Sequence, residues 1–375
     1  MESRSNLIVG QDLGSSSTKG YNLTTGEDFE YDNCITPISP TADTKHFIMD
    51  SAGIDDIIKN LDVTIVKVDG DFSLPIEGRY LCGIMARQYS AHVVKPNSLL
   101  GKSEQLTTYV NALVSIGIEM IKNKLNHSQP VVGFLLPPVE AFGEGGEIFL
   151  KNICGTYDLT FNVQNKKVTI EIVEGKAHVQ PEGFASFASF LFDKDGNYRR
   201  EAEPYLTVSV LGVDIGASST DLSLIENTRP IKRTFETIRM GGNKIAGLLT
   251  AEISKNYRGY KPNADEIERA IETGILRFGT KEVSVAKELE AAKKEFAEIL
   301  YEPFISYLDR QNIHPNSLSG IMFVGGGSIG DDAVRSAGYY LYEKLKQVCP
   351  YIDLISIENP RKSNLEGLIQ YLRCA

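Results

Sequence analysis

The sequence predicts a two-lobed α/β protein, and three observations predict it. The chain has 375 residues, beyond the size at which one hydrophobic core stops growing. Short apolar runs that read as buried strands alternate with segments of helical periodicity. And one strand–turn–strand segment occurs twice: Gly10-Gln11-Asp12-Leu13-Gly14-Ser15-Ser16-Ser17-Thr18 is matched by Gly212-Val213-Asp214-Ile215-Gly216-Ala217-Ser218-Ser219-Thr220, at a constant offset of 202 residues. A repeat so far apart implies two lobes of similar design.

In chain order, Leu7-Ile8-Val9 is a strand running into the first turn. Residues 25 to 100 carry short strand-like pieces among turn signals. Ser103 is placed to cap a long helix on which Leu106, Val110, Val114, Ile118, Ile121 and Leu125 recur at helical spacing. Val131 to Leu136 is a buried strand ending in a turn at Pro137-Pro138, and the pieces around Gln164-Asn165 form a hairpin. Phe184 to Phe192 is helical. Tyr205 to Val213 is the strand before the second turn. Thr237 to Met240 is a strand, and Gly241-Gly242 opens a helix. Residues from about 263 to 311 are charged and mostly helical, with breaks at Gly274 and Pro303. Ile321 to Val324 is a strand ending in Gly325-Gly326-Gly327, Ile352 to Ile355 is another, and a last helix starts near Ser363.

The chemistry follows from the repeat. A tight turn of Gly and small hydroxyl residues exposes backbone N–H groups to an anion, and in each repeat an Asp projects from the preceding strand. Two carboxylates beside one phosphate chain require a cation, and Mg²⁺ fits because it keeps waters through which Asp12 and Asp214 hold it. Lys19, seven residues after Asp12, can reach phosphate oxygens; Asp221 stands in the corresponding place of the second repeat. Either turn alone reads as an ordinary β-turn. The matched pair reads as a nucleotide phosphate site, made of Gly14, Ser15, Ser16, Ser17 and Lys19 with Gly216, Ala217, Ser218 and Ser219.

Gly325, Gly327 and Gly330 also satisfy GxGxxG, the dinucleotide fingerprint, with Asp353 beyond. Too little chain follows for a doubly wound sheet, so Gly325, Gly326, Gly327 and Ser328 are read instead as a close backbone approach to adenine. Pro96 to Ser103 nearly spells a P-loop, but Pro96 replaces the first glycine and removes an N–H. Gly143-Glu144-Gly145-Gly146 reads as an acidic flexible loop.

Composition excludes several classes. Apolar residues make up 42% and charged residues 23%, which excludes disorder and coiled-coil rods. The net charge of -10 argues against direct non-specific nucleic-acid binding, which needs a basic footprint. Five cysteines without a CxxC pair suggest a reducing compartment rather than a metal knuckle. Met1 to Asn6 is polar and lacks an h-region, so no signal peptide is expected. No run reaches the roughly 18 apolar residues of a membrane span. A cytoplasmic location is the expectation.

These motifs together resemble the actin-like ATPase superfamily. The Asp12 turn with Lys19 resembles its first phosphate loop and the Asp214 turn its second; Phe323 to Ser328 is similar to its adenosine motif. Gly133-Phe134-Leu135-Leu136-Pro137 resembles its connecting strand, and Arg239 to Gly242 its hairpin-to-helix turn. Within the superfamily the sequence is most similar to bacterial and archaeal actin-like proteins of the plasmid-segregating ParM type, on Val179-Gln180-Pro181-Glu182-Gly183 and Asn364-Leu365-Glu366-Gly367. The resemblance implies an actin-like fold of duplicated ribonuclease-H-like domains with nucleotide in the interlobe cleft. Lobe I would span residues 1–204 plus 346–375, with a small subdomain at about 25–100. Lobe II would span 205–345, with a small subdomain at about 243–305. It further implies binding and hydrolysis of Mg-ATP or Mg-GTP, with Glu182 orienting the attacking water beside Asp12 and Asp214. It implies self-assembly into filaments, with plasmid segregation through a DNA-binding adaptor. The competing expectation is a small-molecule kinase of the same superfamily. Such an enzyme needs a carboxylate base near the acceptor hydroxyl, and no separate Asp motif for it stands between the two turns.

Overall fold

The computed structural model describes residues 7–49, 57–70, 74–90, 92–97, 99–330 and 334–374. The polar start Met1 to Asn6 and Ser98 of the near-P-loop lie outside them. The chain divides into two compact units: Met1–Ser189, Lys194–Gly196 and Leu365–Ala375 form the first, and Phe190–Asp193 and Asn197–Asn364 the second.

Unit 1 runs β1 (Ile8–Leu13), β2 (Ser17–Asn22), β3 (Glu27–Asp32), β4 (Ile35–Ile38), β5 (Asp62–Asp69), β6 (Gly78–Cys82), α1 (Gly83–Tyr89), α2 (Leu106–Lys122), β7 (His127–Ser128), β8 (Val131–Leu136), α3 (Pro138–Ala141), α4 (Glu144–Ile153), β9 (Gly155–Phe161), β10 (Lys166–Ile172), β11 (Ala177–Pro181) and α5 (Phe184–Leu191). Its first sheet has the order β11-β8-β1-β2-β3 and its second the order β4-β6-β5-β9-β10-β7. β1 lies antiparallel to β2 and parallel to β8, which is parallel to β11. As a central strand it is buried along nearly its whole length, as expected of strands covered on both faces. Gln11 and Asp12 are the polar exceptions. α2 packs against β1 and β2 on one side and β4 and β10 on the other, which is why it is buried around almost its full circumference.

Unit 2 runs β12 (Ser209–Ile215), β13 (Thr220–Glu226), β14 (Arg229–Pro230), β15 (Glu236–Ile238), α6 (Gly242–Asn256), α7 (Ala264–Thr273), β16 (Ile275–Phe278), β17 (Lys281–Ser284), α8 (Ala286–Arg310), β18 (Gly320–Val324), α9 (Ala337–Val348) and β19 (Asp353–Ile355). α10 (Ser363–Leu372) closes the chain. The central sheet has the order β14-β13-β12-β18-β19, with β15 also on β13. β12 is antiparallel to β13 and parallel to β18, the same pattern as β1, β2 and β8. The core joins these strands to α6, α8 and α9 through Leu249, Phe296, Phe304 and Leu341.

Several sequence expectations are corrected. Within 263 to 311 the break expected at Gly274 stands, the glycine ending α7 in the left-handed conformation, but a β16–β17 hairpin rather than helix follows it. α8 continues through Pro303, because buried Phe296 and Leu300 before it and Phe304 and Tyr307 after it anchor both halves. Gly143 to Gly146 is the start of α4, with Glu144 and Glu147 in its first turn, where acidic residues are favourable. Pro138 opens the short α3 as its first residue, and β12 begins at Ser209 rather than Tyr205. Ser103 does not cap α2, whose N-cap is Gln105. The glycines after β18 lead into a single tight turn at Gly326–Ser328, and among the described residues the next helix begins at Ala337.

Candidate phosphate-binding turns

Both turns are built by the same register. Across the β1–β2 hairpin Asp12 pairs with Lys19, and across β12–β13 Asp214 pairs with Asp221. Both loop aspartates are buried, at 6% and 4% exposure. In a trans peptide the C=O of one residue and the N–H of the next point in opposite directions, so fixing the carbonyls of a turn aims its amides. In unit 1 Asn33 does the fixing: its backbone N–H donates to the Ser16 carbonyl at 2.9 Å and its side-chain Nδ2 to the Gly14 carbonyl at 2.6 Å. Asn111 of α2 holds Asn33 in turn, donating to its Oδ1 at 2.8 Å. The amides of Ser15 and Ser17 therefore point away from Asn33.

In unit 2 the N-terminus of α6 does the same work. Gly242 N donates to the Gly216 carbonyl and Asn243 N to the Ala217 carbonyl, both at 2.8 Å. The amides of Ala217 and Ser218 are thereby aimed the other way. Gly241 has to be glycine, because an added Cβ would stand 2.5 Å from the Gly216 carbonyl and 2.7 Å from the Ser219 amide. The turn after β18 joins this cluster. Gly325 has φ +84 and abuts Asp214 and the Ile215 carbonyl so closely that a side chain would collide with both. Ser328 Oγ donates to the Val324 carbonyl at 2.6 Å, while Gly326 has open space around it. Asn364 Nδ2 donates to Asp214 Oδ2. Unit 2 thus brings together Asp214, Gly216 to Ser219, Gly241-Gly242 and Gly325 to Ser328.

The electrostatics of unit 1 centre on four side chains. Lys19 Nζ bonds Asp12 Oδ2 at 2.8 Å. Lys102 Nζ bonds Glu182 Oε1, and Lys102 is also within electrostatic reach of Asp12. Burial works to raise the Asp12 pKa, but Lys19 and Lys102 outweigh it and hold the carboxyl below its ordinary value. Burial works to lower the Lys102 pKa, and Glu182 and Asp12 more than reverse it. Glu182 is raised: burial dominates, and Asp12 and Glu140 add to it against Lys102. Glu182 itself follows β11, its N–H donating to the Leu136 carbonyl at the end of β8.

Lys102, Asn33 and Glu140 were missed by sequence reasoning. Lys102 lies in the near-P-loop, and the structure explains why that segment is no phosphate cradle. Its amides already hold a carboxylate: Lys102 N and Ser103 N donate to Glu140 at 2.9 and 3.1 Å. Glu268 and Glu272 lie exposed on α7, and Glu272 pairs with Arg361 at 3.0 Å.

The donor set suits a hydrated divalent cation. Lys19 takes Asp12 Oδ2, and among the described residues Asp12 Oδ1 has no hydrogen-bond partner. Those residues hold no group of three or more His, Cys, Asp or Glu side chains able to cage an ion. Hard carboxylate oxygens without a full protein cage fit an ion that retains waters, as Mg²⁺ does. Among the described residues no helix is long and apolar enough to cross a membrane.

Comparison with known proteins agrees with this architecture. Residues 212–330 match the family of archaeal actin homologues, MreB-like, C-terminal. Among curated protein sequences no match reaches significance. Among solved structures, actin-like protein Alp7A is similar with a TM-score of 0.75 at 17% identity, over 98% of this chain and 96% of that one. ParM of Bacillus thuringiensis, solved with ATP, gives 0.67 at 19% identity over 98% of each chain. The 15-stranded ParM filament from Clostridium botulinum gives 0.66 at 19% over 99% of each. The resemblance read from the motifs is borne out: the chain is actin-like in fold over nearly its whole length, with ParM-type proteins among its structural relatives.

Proposed function

We propose that the protein is a cytoskeletal ATPase that binds and hydrolyses Mg-ATP and polymerises into filaments in the cytoplasm. The observation that carries the reading is the twofold occurrence of one device: a buried Asp at the end of a central strand, beside a turn whose carbonyls are tied down so that its amides are aimed away from the tie. Both turns would serve the phosphates of one nucleotide, with Lys19 on phosphate oxygens and Gly325 to Ser328 along the adenosine. Asp12 and Asp214 would hold Mg²⁺ through water, and the ion would neutralise charge on the phosphates. Glu182 would orient the attacking water. Similarity to a ParM solved with ATP and to a ParM filament supports nucleotide use and self-assembly. Plasmid segregation through a DNA-binding adaptor is the role this reading proposes, consistent with a net charge of -10.

The test is assembly. Light scattering and pelleting against protein concentration, with Mg-ATP, Mg-GTP and no nucleotide, should show a critical concentration only with nucleotide. Electron microscopy of the pellets should show filaments. A protein that stays monomeric in all three while phosphorylating a small metabolite is the kinase instead.

A further inference from the structure

We propose that Lys102 is a positioning residue that fixes Glu182 for the attack of water on the terminal phosphate. The inference rests on the reading of Glu182 given above. Lys102 bonds Oε1 of Glu182, and among the described residues Oε2 has no hydrogen-bond partner. One oxygen is therefore anchored and the other remains an acceptor, which is what a group that orients a water requires. Both side chains are nearly buried, at 12% and 13% exposure.

Lys102 is itself held rigidly. Its own N–H donates to Glu140 Oε1, and Ser103 N and Oγ donate to Glu140 Oε2 at 3.1 and 3.2 Å. Gln105 Nε2 donates to the carbonyls of Asn97, Leu100 and Gly101, and Tyr109 Oη donates to the Ser103 carbonyl at 2.7 Å. Glu140 stands on α3, directly after β8, and the end of β8 also receives the Glu182 N–H. The segment carrying the lysine and the residue it grips thus refer to one strand end. Asp12 already has Lys19, so the hydrogen bond of Lys102 goes to Glu182 alone. A buried ion pair adds little net stability relative to an apolar pair, so stability alone does not account for it.

The experiment compares the wild type with Glu182→Ala, Lys102→Ala, Lys102→Arg and the double variant Lys102→Ala/Glu182→Ala. Phosphate release in a single turnover of Mg-ATP is measured beside the dissociation constant for AMPPNP, with thermal melting to confirm folding. Lys102→Ala should slow hydrolysis about 10- to 100-fold while nucleotide affinity stays within about threefold, since the lost interaction belongs to the transition state. The double variant should be no slower than Glu182→Ala, because two residues acting as one unit are not additive. Lys102→Arg, which keeps the charge, should recover most of the rate. Lys102→Ala hydrolysing like the wild type overturns the proposal. So does a double variant showing the product of the two single losses, or affinity falling in step with rate, which would make Lys102 a phosphate ligand. A wild type that releases no phosphate, or Glu182→Ala at wild-type rate, defeats the underlying reading of Glu182, and this proposal falls with it. Should Lys102→Ala fail to fold, the double variant, which leaves neither charge unpaired, and Lys102→Arg decide: a folded Lys102→Arg as slow as Glu182→Ala overturns the proposal.

Discussion

The two turns are near-copies in sequence and opposites in support. The first has its aspartate neutralised across the hairpin by Lys19, whereas the second sets Asp221 opposite Asp214 in the same register. Asp221 accepts from the Thr237 and Ser219 hydroxyls. The first turn is pinned by a side chain, Asn33, resting on α2; the second is pinned by the backbone N-terminus of α6. The supporting helices differ accordingly. α6 buries Ile245, Leu249 and Ile253, while α2 buries Asn111, Ser115 and Glu119 at the same four-residue spacing. A duplicated motif therefore fixes where the aspartate and the amides stand, but not how the rest of each unit pays for their burial.

The largest effect that can break this comparison comes from the aspartates. Asp12→Ala and Asp214→Ala should each weaken Mg-ATP binding by about 100-fold, the scale of losing one or two contacts to a charged group. Calorimetric titration measures it, and wild-type affinity in either variant removes that carboxylate from the site. Their stability effects should diverge. Asp12→Ala leaves Lys19 nearly buried without its carboxylate, a loss of about 3 kcal/mol. Asp214→Ala removes the carboxylate that accepts from the neutral amide of Asn364, a loss of about 1–2 kcal/mol. Equal losses in chemical denaturation would mean that Lys19 does not distinguish the two units.

Next in size are the pins. Gly241→Ala forces a Cβ against the backbone of the second turn and should cost about 1–3 kcal/mol, with nucleotide affinity falling alongside because Ser219 must move. Asn33→Ala releases the Gly14 carbonyl and one bond from Asn111, at about 1–3 kcal/mol for buried groups left unpaired. Its affinity loss should be nearer tenfold, because the Asn33 backbone bond to Ser16 survives. If Asn33→Ala binds Mg-ATP like the wild type, the first turn keeps its shape without its side-chain pin.

Much of this was legible in the sequence. The strands before both turns, the helix at Gly241-Gly242 and the last helix at Ser363 all follow from periodicity and punctuation, since local chemistry and tertiary packing agree there. Asp12, Asp214 and Lys19 could be found because their hairpins place them by register alone. Lys102 could not, because its partner Glu182 is 80 residues away and no spacing rule links them. The Gly101-Lys102-Ser103 segment drew notice as a failed phosphate loop. What it lacked was the knowledge that Glu140 fills it. α8 defied its proline for the same reason: the burial of Phe304 and Tyr307 is a tertiary fact that propensity does not contain.

The smallest expected effect tests the polar support of unit 1. Glu119 is fully buried on α2; Asn22 Nδ2 donates to its Oε2 at 2.7 Å, and Lys122 lies 3.6 Å from Oε1. Burial is the dominant influence and pushes its carboxyl above the ordinary glutamate value, with Asn22 and Lys122 offsetting it only in part. A folded-state pKa raised above the unfolded one means stability that is fully present below the unfolded pKa and lost as pH rises through the folded pKa. Glu119→Gln removes that titration and keeps an acceptor for Asn22. The variant should therefore be more stable than the wild type at neutral pH, by on the order of 1 kcal/mol, comparable to one net hydrogen bond. The gap should close as pH falls below the ordinary glutamate range. Denaturant melts at several pH values measure it. A gap that stays constant with pH would show that Glu119 titrates alike in both states, and that the polar face of α2 carries its carboxylate without strain on the fold.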